Sequence, residues 1–365
     1  TDRLDEPQEI ERIHCFDFKT GKKHWTVSYP AQYTISYKSG PRAAVLIDED
    51  ETRARAYALG GVGHLHCLDA VTGEILWKRD LAREYRIDMP RWGIAAGPLI
   101  EGNLLVLHIG GENACVVALD KRNGGEVWRA VNDDASYTAP IVIDQAGRRV
   151  LVVYTADTLF GLDVTTGRAL WSYAMPGSKW PISIATPVVA AEDGQRYIFT
   201  TNAHVGSALL RLHEEETAIT EVWRQQNAKE PDSLYSLIPT PFIRDGYIYG
   251  THNRGELRCL DLLTSKQVWE THEAVTPDRF ATLHIVALRD AGDRVWIFNE
   301  HGELIIADLS PKGYKQISRG RLVAPTQPGL PSRRGGVTWA HPAFAHRHVL
   351  ARNDEQLICA DLSAQ

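Results

Sequence analysis

Short runs of alternating apolar and polar residues, about four to eight long, follow one another along the whole chain and are closed by Gly, Asp, Asn or Ser. Between Ala139 and Tyr173 the runs read APIVI, RRVLVVYT, LFGLDV and RALWSY, four strands with turn residues between them. From Ile238 onward they read IPTPFI, GYIYGTH, ELRCLDL and KQVWET. No window sustains a helical period. The pattern therefore predicts an almost wholly β protein made of repeated four-stranded units.

One phrase marks each unit. CFDFKTGKKHW (Cys15 to Trp25), CLDAVTGEILW (Cys67 to Trp77), GLDVTTGRALW (Gly161 to Trp171) and CLDLLTSKQVW (Cys259 to Trp269) each join two strands through a polar turn. Trp25, Trp77, Trp128, Trp171, Trp223 and Trp269 recur about every 43 to 52 residues, the period of a propeller blade. Degraded copies lie at Ile306 to Ser318 and Cys359 to Gln365. The copy from Arg211 to Trp223 carries two extra residues and has His213 in the Asp slot. That makes eight copies. The Trp is expected to be buried between sheets, with its N–H bonded to a backbone acceptor. The Asp is expected to bond nearby backbone N–H groups in the turn. The opening position should be small, because a neighbouring sheet's Trp packs over it. It holds Cys15, Cys67, Ala118, Gly161, Cys259 and Cys359, with Arg211 and Ile306 as exceptions.

The phrase A/C-x-D-x-x-T-G-x-x-x-W resembles the tryptophan-docking motif of the PQQ-like (pyrroloquinoline-quinone-type) propeller repeat family, within the WD40-like/quinoprotein-like superfamily. With GPRAAVLI, PRWGIAAGPLI and TWAHPAFAHRHVLARND, the chain is similar to exported bacterial PQQ-like repeat proteins. Other members are the quinoprotein alcohol dehydrogenases and the lipoprotein propeller of the outer-membrane assembly machine. The resemblance implies one all-β propeller domain over residues 1–365, eight-bladed, with seven blades as the alternative. The first repeat offers little before its third strand and the last offers no fourth, so an upstream segment is expected to complete the first blade. A periplasmic or otherwise exported location is implied in the same way.

Composition adds limits. The chain has 365 residues, 44% hydrophobic and 24% charged, with a formal net charge of −6. It has no apolar run near the roughly 20 residues of a membrane helix. No broad basic field favours nucleic acid. The five cysteines include no C-x-x-C and no adjacent pair. Four share one slot in different units, so all five are expected to be buried and unpaired.

In a propeller whose units have strands lettered A to D in chain order, with A innermost, D-to-A and B-to-C connections gather on one face around the channel mouth. Arg42, Trp92, Trp180, Trp339 and His341 fall just before first strands, where other units carry Tyr137, Tyr235 and Phe280. His204, His252, Arg254 and His301 fall in B-to-C turns. Aromatic rings with arginine and imidazoles suit a planar or sugar-like ligand bearing an acidic group. The favoured reading is a monomeric, non-catalytic binding or interaction module, a scaffold that engages a protein partner through this face. A small-molecule or glycan binder is one alternative and a PQQ-dependent dehydrogenase another. For the dehydrogenase, the resemblance implies a quinone stacked on Trp, a calcium ion, an aspartate base and adjacent cysteines. The chain has no Cys-Cys pair, and no motif matches the calcium site, so neither PQQ nor calcium is assigned. No catalytic or metal-binding residue is singled out.

Overall fold

A computed structural model describes residues 1–36, 40–176, 182–227, 229–279, 281–288, 291–326 and 335–363. These residues form eight antiparallel sheets whose strands follow chain order, the arrangement of an eight-bladed β-propeller. The first sheet has three strands, Asp2–Leu4, Ile10–Phe16 and Lys23–Pro30, and the last has Ala343–Ala345, His348–Arg352 and Leu357–Asp361. The six between them have four strands each. The chain divides into two compact units. One comprises Thr1–Thr186 with His213–Ala218, and the other Pro187–Leu212 with Ile219–Gln365.

Within each unit the core lies between successive sheets. The two middle strands of the third sheet, Leu104–Gly111 and Ala114–Asp120, are buried almost throughout. Leu105, Leu107 and Val117 pack toward the second sheet, while Val106, Val116 and Ala118 pack toward the fourth. An isolated sheet with two apolar faces would leave both in water, so each depends on its neighbours.

Tryptophan on the outer strand supplies the link. The indole N–H of Trp25 donates to Ala70 O at 3.2 Å, and Trp77, Trp128 and Trp223 donate to Lys121, Val164 and Leu262 carbonyls at 3.3, 3.1 and 2.8 Å. Each acceptor directly follows the Asp that opens the turn of the next sheet. Trp269 donates in the same direction to Ser310 O at 2.9 Å. The indole also covers that turn. At Gly167 φ is +73°, and a Cβ would meet Trp128 Cε3 at 2.6 Å, so both backbone and space require glycine. The turn is held by its Asp: Oδ1 of Asp69 accepts the N–H groups of Val71 at 3.0 Å and Thr72 at 2.9 Å. Asp163 does the same for Thr165 and Thr166.

Two expectations about the opening slot are corrected. The small residue lies under the Trp of its own sheet, not a neighbour's: Gly161 is the register partner of Trp171, and a Cβ there would meet Trp171 Cε2 at 2.1 Å. In the fifth sheet the slot is Leu209, opposite Trp223, and not Arg211, because the two extra residues lengthen the turn. Ile306 is tolerated because its fourth-strand partner is Ser318, where other sheets carry the docking Trp. The cysteines also differ from expectation. All five are free, and Cys67, Cys115 and Cys259 are buried, but Cys15 is half-buried and Cys359 exposed. Cys359 lies on Leu357–Asp361, with no further described strand beyond it in its sheet.

Trp171 departs from the rule. Its N–H donates to Gln145 Oε1 at 2.9 Å. The Gln145 amide then donates to Ala218 O at 2.7 Å, across the ends of the lengthened 213–218 turn. A side-chain amide thus relays the bond that other sheets make directly. Trp128→Ala should cost about 3–5 kcal/mol by leaving an indole-sized cavity. Gln145→Ala should cost about 1–3 kcal/mol by stranding the Trp171 N–H. Denaturant titration checks both, and a neutral Gln145→Ala would contradict the relay. Burial pushes the Cys67 thiol up to about 11 and that of Cys259 to about 12. Thiol titration of the native protein should therefore label Cys359 first, with Cys67, Cys115 and Cys259 reacting only on unfolding.

Candidate functional site

In each four-stranded sheet the B-to-C turn and the end of the fourth strand leave by the same end. In the first unit this end carries a buried charged cluster that sequence patterning did not single out. Glu11, on Ile10–Phe16, is wholly buried. Its Oε1 accepts the Tyr33 hydroxyl and the Gly61 N–H, the latter at 2.8 Å. Burial, then the Glu11 charge, pushes the Tyr29 and Tyr33 phenols far above their ordinary range. Arg42 joins from one side, its guanidinium 5.7 Å from the Tyr33 ring centroid and bonded to Gly40 O and Ser36 O at 2.6 and 2.9 Å. Trp92 meets Tyr137 edge-on at 5.7 Å, and its backbone N–H donates to the Tyr137 hydroxyl at 3.4 Å. Arg91 covers the other part of the indole at 5.3 Å. Trp92 is thus half-buried and packed on protein groups. Trp180 and Phe280 lie outside the described residues.

In the second unit the structure brings together Trp339 and His341. His284 Nε2 donates to Trp339 O at 3.1 Å, and its ring lies 4.6 Å from that of His341. His341 is exposed and His284 buried. His252 does not face solvent. It is 4% exposed, and its Nδ1 accepts the Tyr235 backbone N–H at 3.1 Å. The same task recurs elsewhere. His108 Nε2 accepts from Ser136 N–H, and Glu300 Oε2 from Thr282 N–H at 2.9 Å. Residues at the ends of second strands therefore satisfy the backbone that leads into first strands. His204 and Arg254 are exposed on their turns, and His301 is half-buried. Asn202 Oδ1 accepts the His204 N–H at 2.7 Å, and Asn299 Oδ1 the His301 N–H at 3.1 Å. An N-x-H pattern, at Asn202–His204 and Asn299–His301, is the sequence signal for these two placements.

Among the described residues no three His, Cys, Asp or Glu side chains converge as a metal site, and the cysteines lie on separate strands. No described helix is long and apolar enough to cross a membrane.

Comparison with known proteins gives a consistent family. A family model described as outer membrane protein assembly factor BamB matches residues 9–271. The outer membrane protein assembly factor BamB of Yersinia pestis is 22% identical over 260 residues, covering 67% of this chain and 61% of that protein. The protein of the same name from Shewanella oneidensis is 24% identical over 205 residues, covering 55% and 50%. The chain therefore spans less than two thirds of the length of these relatives. Among solved structures, BamB from Moraxella catarrhalis superposes with a TM-score of 0.62 at 17% identity, covering 98% of this chain and 95% of that one. A europium-containing methanol dehydrogenase gives 0.55 at 14% identity, covering 86% and 75%. At such identities the likeness concerns fold alone.

The buried imidazoles make stability depend on pH. Burial draws His66 and His108 down to about 4 and His284 to about 3, from 6.5. Below pH 6.5 the unfolded chain takes up protons that the folded chain refuses. Stability present at neutral pH is then lost as pH falls from about 6.5 toward 3 to 4. The melting temperature should fall from about pH 7 to about pH 5, and His108→Gln should make that fall shallower. An unchanged slope would contradict the assignment.

Proposed function

The chain belongs to the outer membrane protein assembly factor BamB family, and from that premise we propose that it is a non-catalytic exported propeller serving bacterial outer-membrane protein assembly. Its role is to bind a protein partner. The observation that carries this reading is the family match over residues 9–271. Residues 1–365 act as one domain, and the binding face is that of the B-to-C turns and D-to-A connections. Arg42, Trp92, Trp180, His204, His252, Arg254, His301, Trp339 and His341 are its contributors. His204 and Arg254 would touch the partner, whereas His252 would hold the backbone beneath them. Two features support such a surface. Its turns are short and internally hydrogen-bonded, so docking orders little chain. Arginine and aromatic groups are also the residue types that dominate protein interfaces.

Photo-crosslinking in the native host tests the reading. A crosslinker at His204 or Arg254 should capture a component of the outer-membrane protein assembly machinery, identified by mass spectrometry. A crosslinker at Val71 or Glu74, on a Thr-Gly turn at the opposite end of its sheet, should not. Capture only from Val71 or Glu74 would place the partner on the other face and contradict the proposal.

A further inference from the structure

His301 opens into a groove of about 380 Å³ in the second unit, lined also by His272, Glu273, Glu303, Arg319 and Arg321. Three chain segments build it: the stretch after Gln267–Thr271, the turn between Arg294–Asn299 and Glu303–Ser310, and the end of Gly313–Arg321. The turn is fixed by Asn299, which is wholly buried. Its Oδ1 accepts the N–H groups of His301 and Glu303 at 3.1 and 3.2 Å, and its Nδ2 donates to Ala274 O at 3.0 Å and Glu303 Oε2 at 2.9 Å. At Gly302, φ is +71° and a Cβ would meet Val323 O at 1.8 Å, so no other residue fits. The groove is therefore a built feature of the fold.

Its charges are unevenly spent. Glu303 is engaged by Asn299 and by Arg319, the latter at 3.5 Å, and Arg319 also donates to Glu273 O. Arg321 lies opposite Glu303 in the strand register and is exposed. Among the described residues neither Arg321 nor His272 has an ion pair or a side-chain hydrogen bond, and the buried His301 Nε2 has no partner. One guanidinium fork and the His272 imidazole thus face the same space with bonding capacity left over, with the His301 Nε2 buried in the wall beside them. A guanidinium fork matches the two oxygens of a carboxylate. The volume is at the small end of ligand pockets, enough for a side chain or two. Glu273 in the wall disfavours a dianion and can accept the N–H of a peptide.

We propose that this groove binds a carboxylate side chain of an acidic polypeptide segment, with Arg321 as its main anchor and His272 and His301 beside it. This deepens the reading of the face as an interaction surface, since the groove lies at the same ends of its sheets.

The test uses the purified full chain and a fluorescein-labelled, glycine-rich peptide carrying two aspartates, followed by anisotropy. Controls are the same peptide with asparagines and inorganic phosphate as competitor. The wild-type chain should bind the aspartate peptide and not the asparagine one, and phosphate at matched concentration should not displace it. Arg321→Glu should weaken binding about tenfold or more, the loss expected for one charge-assisted hydrogen bond, without lowering the melting temperature. His301→Gln should weaken it less. No binding by wild type, equal binding of the asparagine peptide, displacement by phosphate, or an unaffected Arg321→Glu would each overturn the proposal. The assay needs no assembly machinery, so the groove can fail while crosslinking from His204 or Arg254 still succeeds, and the reverse.

Discussion

The fold depends on one contact, an indole laid over the turn of the following sheet with its N–H on the carbonyl after the turn's Asp. Sheets with two apolar faces gain stability from burial, but burial alone is non-directional and would let neighbours slide. The indole adds direction. Its hydrogen bond fixes height, and at Gly167 the ring of Trp128 lies where a Cβ would stand. Trp171 shows how strictly this is enforced. Where the next turn is two residues longer, Gln145 carries the bond across both of its ends instead.

That dependence explains why the fold was legible in the sequence. The residues that make the contact come as a contiguous phrase, so Asp, Gly and Trp reveal both strands and turn at once. The strand assignments between Ala139 and Tyr173 agree with Ile141–Gln145, Arg148–Tyr154, Thr158–Asp163 and Ala169–Ala174. Reading failed where spacing changed. Taking Arg211 as the opening slot counts the two extra residues on the strand, whereas the turn absorbs them and leaves Leu209 opposite Trp223.

The candidate site was legible only in part, for a physical reason. A polar residue at the end of a second strand looks the same in sequence whether it faces solvent or feeds the backbone of the next connection. His252 and Glu300 do the second, and their partners, Tyr235 and Thr282, lie 17 and 18 residues away. Glu11 was equally invisible, since an acid alternating with apolar residues reads as a solvated face, yet Tyr33 and Gly61 surround it. The Arg321 groove needs three segments at once, and only His301 among its charged or ring-bearing walls stood out beforehand.

The surface proposed for recognition consists of hydrogen-bonded turns such as those at His204, Arg254 and His301. Hydrogen–deuterium exchange of the full chain, with and without the purified outer-membrane assembly machinery, tests this most directly. The account predicts added protection in the turns around 203–205, 252–256 and 299–303, with no change at 71–73, 122–124 and 165–167. Protection confined to the second set would put the partner on the Thr-Gly turns and contradict it.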